Sequence, residues 1–169
     1  MFTNETIDTS NLPRFEEIPL TKLNLAYAKV IVIMLTFLFV VFIGLAIAGS
    51  VFIDEWQPFR VWIFLGVVCA IAIISLFAGI SFVKKGFAFR EHDVVYRHGI
   101  IATTTMIIPY NRVQHVALHE GFLSRIFGLA KVQVFTAGGH QSDLEIPGIA
   151  KEEAESIKQL LMSKIRKEL

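Results

Sequence analysis

Cysteine is almost missing from this chain: Cys69 is the single one among 169 residues. No internal disulfide can form, and a thiolate in the apolar surroundings of Cys69 is disfavoured, so a small packing residue is expected there. Charge is scarce as well, 18% of residues against the ~25% usual in soluble domains. What there is nearly cancels, to a formal +1, which argues against a nucleic-acid binder, since such a protein usually carries a basic stripe on one face. A Walker-type phosphate loop and a Gly-x-Ser-x-Gly elbow are both lacking. Asp143 and Glu145 stand two apart on an expected strand with no recognisable cleft for acid–base work. No catalytic residue, metal or cofactor is therefore expected.

The missing charge is concentrated. Residues 30–53 and 61–83 carry none at all, and the second run holds no proline. At ~1.5 Å per residue, helices of this length cross a ~30 Å hydrocarbon core. Two membrane spans are predicted, over 26–53 and 61–83. The first is too long for a signal core and follows Glu5, Asp8, Glu16 and Glu17 rather than a basic start, so a retained span is expected. Neither span holds the buried ionisable residue of a proton or ion path. Gly66 and Ala70, then Ser75 and Gly79, stand four apart, a spacing that lets helix backbones approach in lipid. They are expected to pack the two helices of the hairpin together, with oligomerisation as the alternative.

Flanking charge orients the hairpin. Asp54 and Glu55 outweigh Arg60 in the short connector, where Trp56 and Phe59, with Trp62 just inside the second run, suit an interfacial belt. Arg14, Lys22 and Lys29 precede the first span; Lys84 and Lys85 follow the second. Both termini are expected in the cytoplasm and the connector outside. Residues 1–24 read as a polar segment broken by Pro13 and Pro19.

Beyond Lys84 the pattern changes to alternation of polar and apolar residues. Six short strands are predicted near 87–90, 94–97, 103–108, 115–119, 131–135 and 143–146, the last ended by Pro147-Gly148. A turn is predicted at Ala137-Gly138-Gly139-His140. Then Ala150, Ala154, Ile157, Leu161 and Ile165 form a helical stripe, with acids at its start and bases at its end. A small barrel over 84–169, closed at one end by this helix, is the predicted architecture. His115 and His119 are four apart, but on a strand that is ~13 Å, too far to share an ion.

Two runs resemble a known family. Ile108-Pro109-Tyr110-Asn111-Arg112-Val113-Gln114 and Gly121-Phe122-Leu123-Ser124-Arg125-Ile126-Phe127-Gly128 are similar to segments of bacterial pleckstrin-homology-like (bPH2) domains of the YdbS/YdbT type. Ala137-Gly138-Gly139 and Ile146-Pro147-Gly148 match later turns, and two spans before one domain resemble the YdbS layout. The resemblance implies a pleckstrin-homology-like barrel with a C-terminal capping helix. It also implies a bacterial inner membrane as the location and, as partner, a paired, larger membrane protein with several such domains; a homo-oligomer is the other assembly expected.

The candidate contact residues for lipid or partner are Lys84, Lys85, Arg90, Arg97, Arg112, Phe122, Leu123, Arg125, Ile126 and Phe127. Arg112 is expected to clamp carbonyls in a tight connection, with a partner contact as the alternative. The Phe122 to Phe127 turn is expected to plug the barrel, with an exposed apolar contact as the alternative. A non-enzymatic interaction module follows. A headgroup sensor using Lys85, Arg90 and Arg97, or a subunit of an oligomeric channel or transporter, are the rivals.

Overall fold

The structure, a computed structural model, describes residues 17–137 and 142–168. The polar start at 1–16 and the turn at 138–140 lie outside them. Two long helices come first, α1 (Ala26–Phe52) and α2 (Arg60–Lys84), joined by a 3-10 segment over Asp54–Phe59. Both are long and apolar enough to cross a membrane. α2 has no buried residue and α1 has only two, Val30 and Ala46. Apolar surface of that extent has no stable place in water and requires lipid or protein around it.

The few polar groups on the hairpin satisfy themselves locally. Thr36 Oγ1 donates to the Val32 carbonyl (2.9 Å), and Gln57 Nε2 reaches back to the Ser50 carbonyl (2.7 Å) at the end of α1. Gly49 leaves room for the Trp56 ring, which would overlap any side chain there. Gly44, Gly66 and Gly79 behave differently, because a Cβ at each would meet nothing within 4 Å. The expectation that small residues pack the hairpin together is corrected for Gly66 and Gly79. The helices meet instead through larger side chains such as Tyr27 and Phe82, ring centroids 6.4 Å apart, and leave an open groove of ≈ 390 Å³ beside Leu35, Phe39 and Ala78.

After α2 the chain forms β2 (Gly86–Phe89), β3 (Asp93–His98), β4 (Thr104–Pro109), β5 (Val113–His119), a short helix α3 (Phe122–Ile126), β6 (Leu129–Thr136), β7 (Leu144–Ala150) and helix α4 (Lys151–Glu168). A further strand, β1 (Thr21–Lys22), lies before α1 and pairs with β2. All pairing is antiparallel, in one sheet ordered β1-β2-β3-β4 and a second ordered β5-β6-β7. The expected small barrel with its capping helix thus takes the form of two sheets around one core, which among the described residues are not joined into a closed barrel. Pro109 ends β4, and the 3-10 turn Tyr110–Arg112 carries the chain from one sheet to the other.

Alternation sets which residues enter the core. Val94 and Tyr96 of β3, Val132 and Val134 of β6, and Leu144 and Ile146 of β7 all point inward and are buried. α4 covers the open end with Ala154, Ile157 and Leu161, and Ile165 packs at its margin. Ala150 belongs to β7, not to the helical stripe. β7 also runs through Pro147-Gly148 instead of ending there. Lys131 alone on β6 faces two residues on β7, so the pair forms a bulge. Gly148 supplies the φ of +68° that the bulge needs.

The hairpin and the sheets share that core. Leu23 is buried in it, and Tyr27 and Phe82 pack against it. Asn24 fastens the join: its N–H donates to the Gly148 carbonyl (2.9 Å), while its Oδ1 accepts the Ala26 N–H (2.8 Å) at the start of α1. Lys22 Nζ donates to the Val83 carbonyl (3.0 Å) at the end of α2. A helix-terminal carbonyl without an intrahelical partner thus finds a cation.

Candidate functional site

Strand direction gives the domain two ends. β2 leaves α2 at Gly86 and reaches its far end at Phe89; β3 returns, β4 goes out, β5 returns, β6 goes out and β7 returns to Ala150. The turns at 99–103 and 120–128 therefore lie beside the hairpin. The turns at 90–92 and 110–112, and the end of α4, lie at the distal end. Lys164 Nζ joins the end of α4 to the 90–92 turn by donating to the Glu91 carbonyl (2.9 Å).

The candidate residues divide between these ends. Lys84 closes α2, and its Nζ donates to the Ile100 carbonyl (2.6 Å), drawing the β3–β4 turn to the hairpin. Lys85 follows; it is half-buried, and burial holds its ammonium pKa below the usual value. Arg97, near the same end, donates from Nε to Thr105 Oγ1 (3.3 Å). Arg90 is distal, and Asp93 takes its guanidinium through both carboxylate oxygens. Arg112 is distal too. The structure does not bring Arg90 or Arg112 to the cations at the hairpin.

The Phe122 to Phe127 turn is not a plug, which corrects the packing expected of it. Leu123 and Phe127 are half-buried, whereas Phe122, Arg125 and Ile126 are exposed. Phe122 and Ile126 are one helical turn apart and share the outward side of α3. The turn is held in place by Arg125 N–H to the Gly121 carbonyl (2.8 Å) and by Lys151 against Glu120 (3.0 Å).

The distal end carries a cleft of ≈ 360 Å³ lined by Tyr110, Asn111, Arg112, Gln114, Ala137 and Ile165. The Arg112 side chain is exposed and, among the described residues, donates no hydrogen bond, so the expected clamp of carbonyls does not form there. What holds the connection is Tyr110. It is buried, and its hydroxyl donates to the Arg90 carbonyl (2.7 Å). Asn111, Gln114 and Ile165 are cleft residues that the sequence did not single out. Gln114 was within reach, since alternation around buried Val113 places it on the same side as Arg112.

The remaining candidates for chemistry are committed to structure. Asp143 accepts from the Thr136 N–H (2.7 Å) and hydroxyl (2.6 Å), which hold its carboxyl below the usual range. Glu145 accepts from Lys131, Ser142 and Gln133, and these bonds bring its pKa down to about 2. His115 stacks on Phe135 at 4.1 Å, and His98 on Tyr96 at 5.2 Å, in different sheets. Among the described residues no three His, Cys, Asp or Glu are grouped to hold a metal ion.

Burial pushes the hydroxyls of Tyr96 and Tyr110 from 10.0 up to about 12. A folded-state pKa above the unfolded one gives stability that is complete below pH 10 and is lost as pH rises through 12. Tyrosinate absorbance and near-ultraviolet circular dichroism, followed together in alkali, should change in one step within that window. Ionisation of Tyr96 and Tyr110 near pH 10 with the fold intact would contradict their burial.

A family profile described as "Bacterial PH domain" matches residues 18–165. The chain is 36% identical over 69 residues to UPF0699 transmembrane protein YdbS of Bacillus subtilis, covering 41% of this chain and 42% of that protein. It is 30% identical over 105 residues to UPF0699 transmembrane protein YdbT of the same organism, covering 60% of this chain and 21% of that protein. The matches thus span less than half the length of either relative. No solved structure matches. With two sheets, a terminal helix over their open end, and a profile match that begins before β1 and extends into α4, the chain belongs to the bacterial PH domain family.

Proposed function

We propose that this protein is a non-enzymatic interaction module held at the cytoplasmic face of the bacterial inner membrane, with both termini inside. Its distal cleft receives a protein partner: a related, larger membrane protein bearing several PH domains, or a second copy of this chain. The observation that carries this reading is Arg112. Its guanidinium stands exposed over a cleft that also offers Asn111 and Gln114, at the end turned away from the hairpin. A planar cation with unused donors suits a carboxylate-bearing protein surface. Lys84 and Lys85 beside the hairpin, against Asp54 and Glu55 in the connector, support the orientation. The headgroup-sensor alternative is less well supported, since Arg90 is neutralised by Asp93 at the end far from the bilayer.

A photo-crosslinking residue at Gln114, in the full chain in its native membrane, tests this. The expected product is an adduct with a PH-domain membrane protein or with another copy. Arg112→Ala should lower its yield by roughly tenfold, as truncation of an interfacial arginine does. Adducts that form equally well without Arg112, or none at all at Gln114, would overturn the reading.

A further inference from the structure

Of the large apolar side chains exposed beyond Lys84 among the described residues, the three most exposed all lie at the hairpin end. They are Ile101 at 91%, Phe122 at 82% and Ile126 at 63%; Ile107, Leu160 and Met162 are far less exposed. Leu25, immediately before α1, is 79% exposed. These four come from three separate places in the sequence, and none is required by the core. A turn exposed to water is ordinarily polar. Ile101 sits in such a turn, directly after Gly99-Ile100, and α3 turns Phe122 and Ile126 outward.

Their depth follows from their contacts. α3 is in direct contact with α1. The β3–β4 turn is tied to the last residue of α2 by the Lys84–Ile100 bond. Both elements are thereby held at the end of the hairpin nearest the sheets, where α1 begins after Leu25 and α2 ends at Lys84. The lysines belong to the same arrangement, because a cation beside an apolar tip is suited to the boundary between headgroups and acyl chains.

We propose that Ile101, Phe122 and Ile126, with Leu25, enter the leaflet from which α1 and α2 emerge, so that the domain rests on the membrane by a fixed apolar face. The occupant of that face is lipid, at the acyl–headgroup boundary. This rests on the reading that α1 and α2 span the bilayer, and it adds a second, peripheral contact to that anchor. One face on lipid leaves the distal cleft pointing into the cytoplasm.

The test uses the full chain in proteoliposomes, with Cys69→Ala and single cysteines carrying a spin label. Labels at I101C, F122C and I126C occupy exposed positions, so the core is undisturbed. A label at V40C, in the middle of α1, reports the bilayer interior, and one at Q114C reports water. Power saturation with oxygen and with a water-soluble nickel chelate gives the depth of each. At 101, 122 and 126 oxygen is expected to relax the label more strongly than the chelate does, with the order reversed at 114. Chelate access at 101, 122 and 126 equal to that at 114, with V40C still in lipid, would overturn the lipid face and leave the spans standing. Labels closed to both reagents would mean a protein contact and would overturn it equally. A V40C label open to the chelate would remove the spans themselves, and the lipid face with them.

Discussion

Leu161→Ala is expected to lower the unfolding free energy of the domain by about 2–5 kcal/mol, the range for truncating a buried leucine. Leu161 is fully buried on the inner side of α4, between Ile157 and Ile165. The cavity cannot collapse easily. α4 is pinned at one end by the Lys151 N–H to the Gly128 carbonyl (2.9 Å) and near the other by Lys164 on the Glu91 carbonyl (2.9 Å). Thermal unfolding of the full chain in detergent micelles measures the effect, at roughly 4–8 °C of Tm per kcal/mol for a domain of this size. Leu160→Ala is the control, since Leu160 is its exposed neighbour. Equal melting of the two variants would mean that α4 does not close the core.

Gly148→Ala should be nearly as damaging, for a different reason, and Gly128→Ala separates the causes. Both glycines have positive φ, +68° and +64°. Either substitution therefore meets the left-handed backbone cost of ~1–2 kcal/mol. At Gly128 the new Cβ enters open space, whereas at Gly148 it would stand 2.6 Å from the Tyr27 ring. That overlap adds about 1–3 kcal/mol of overpacking and separates β7 from the start of α1. The Asn24 N–H bonded to the Gly148 carbonyl should then exchange with deuterium faster in the Gly148 variant alone. If both variants melt together and Asn24 stays protected, Tyr27 does not pack on that glycine.

The same two positions show what the sequence could and could not convey. The long helices were legible because a charge-free run of that length has one stable environment. Most strands were legible because alternation marks a half-buried sheet, as at Val132 and Val134. α4 was legible because Ala154, Ile157 and Leu161 repeat at helical spacing. Thr21–Lys22 was not, since two residues hold no period; β2 and the core contact of neighbouring Leu23 impose the strand. Pro147-Gly148 reads as a stop, yet the bulge absorbs the missing donor and the positive φ while Ile149 and Ala150 resume pairing. The division of the barrel into two sheets was not legible, because strand content alone does not say which edges meet.

The candidate site was legible in its residue types and obscure in its placement. Arg90, Arg97 and Arg112 look alike in sequence. Only topology sends Arg90 and Arg112 to the distal end and gives Asp93 to the first of them. Phe122 and Ile126 were expected inside, because apolar residues in a soluble domain usually are. A domain whose neighbours are membrane helices has a second apolar phase at hand, and the burial rule no longer points one way.

Tyr27 and Phe82 belong at once to the hairpin and to the packing beneath the sheets. Spans and sheets are therefore coupled through shared side chains. When a thicker or thinner bilayer changes the slant of the two spans, the sheets lean with them. The Arg112 cleft, a full strand length away, then sweeps sideways like the tip of a pointer.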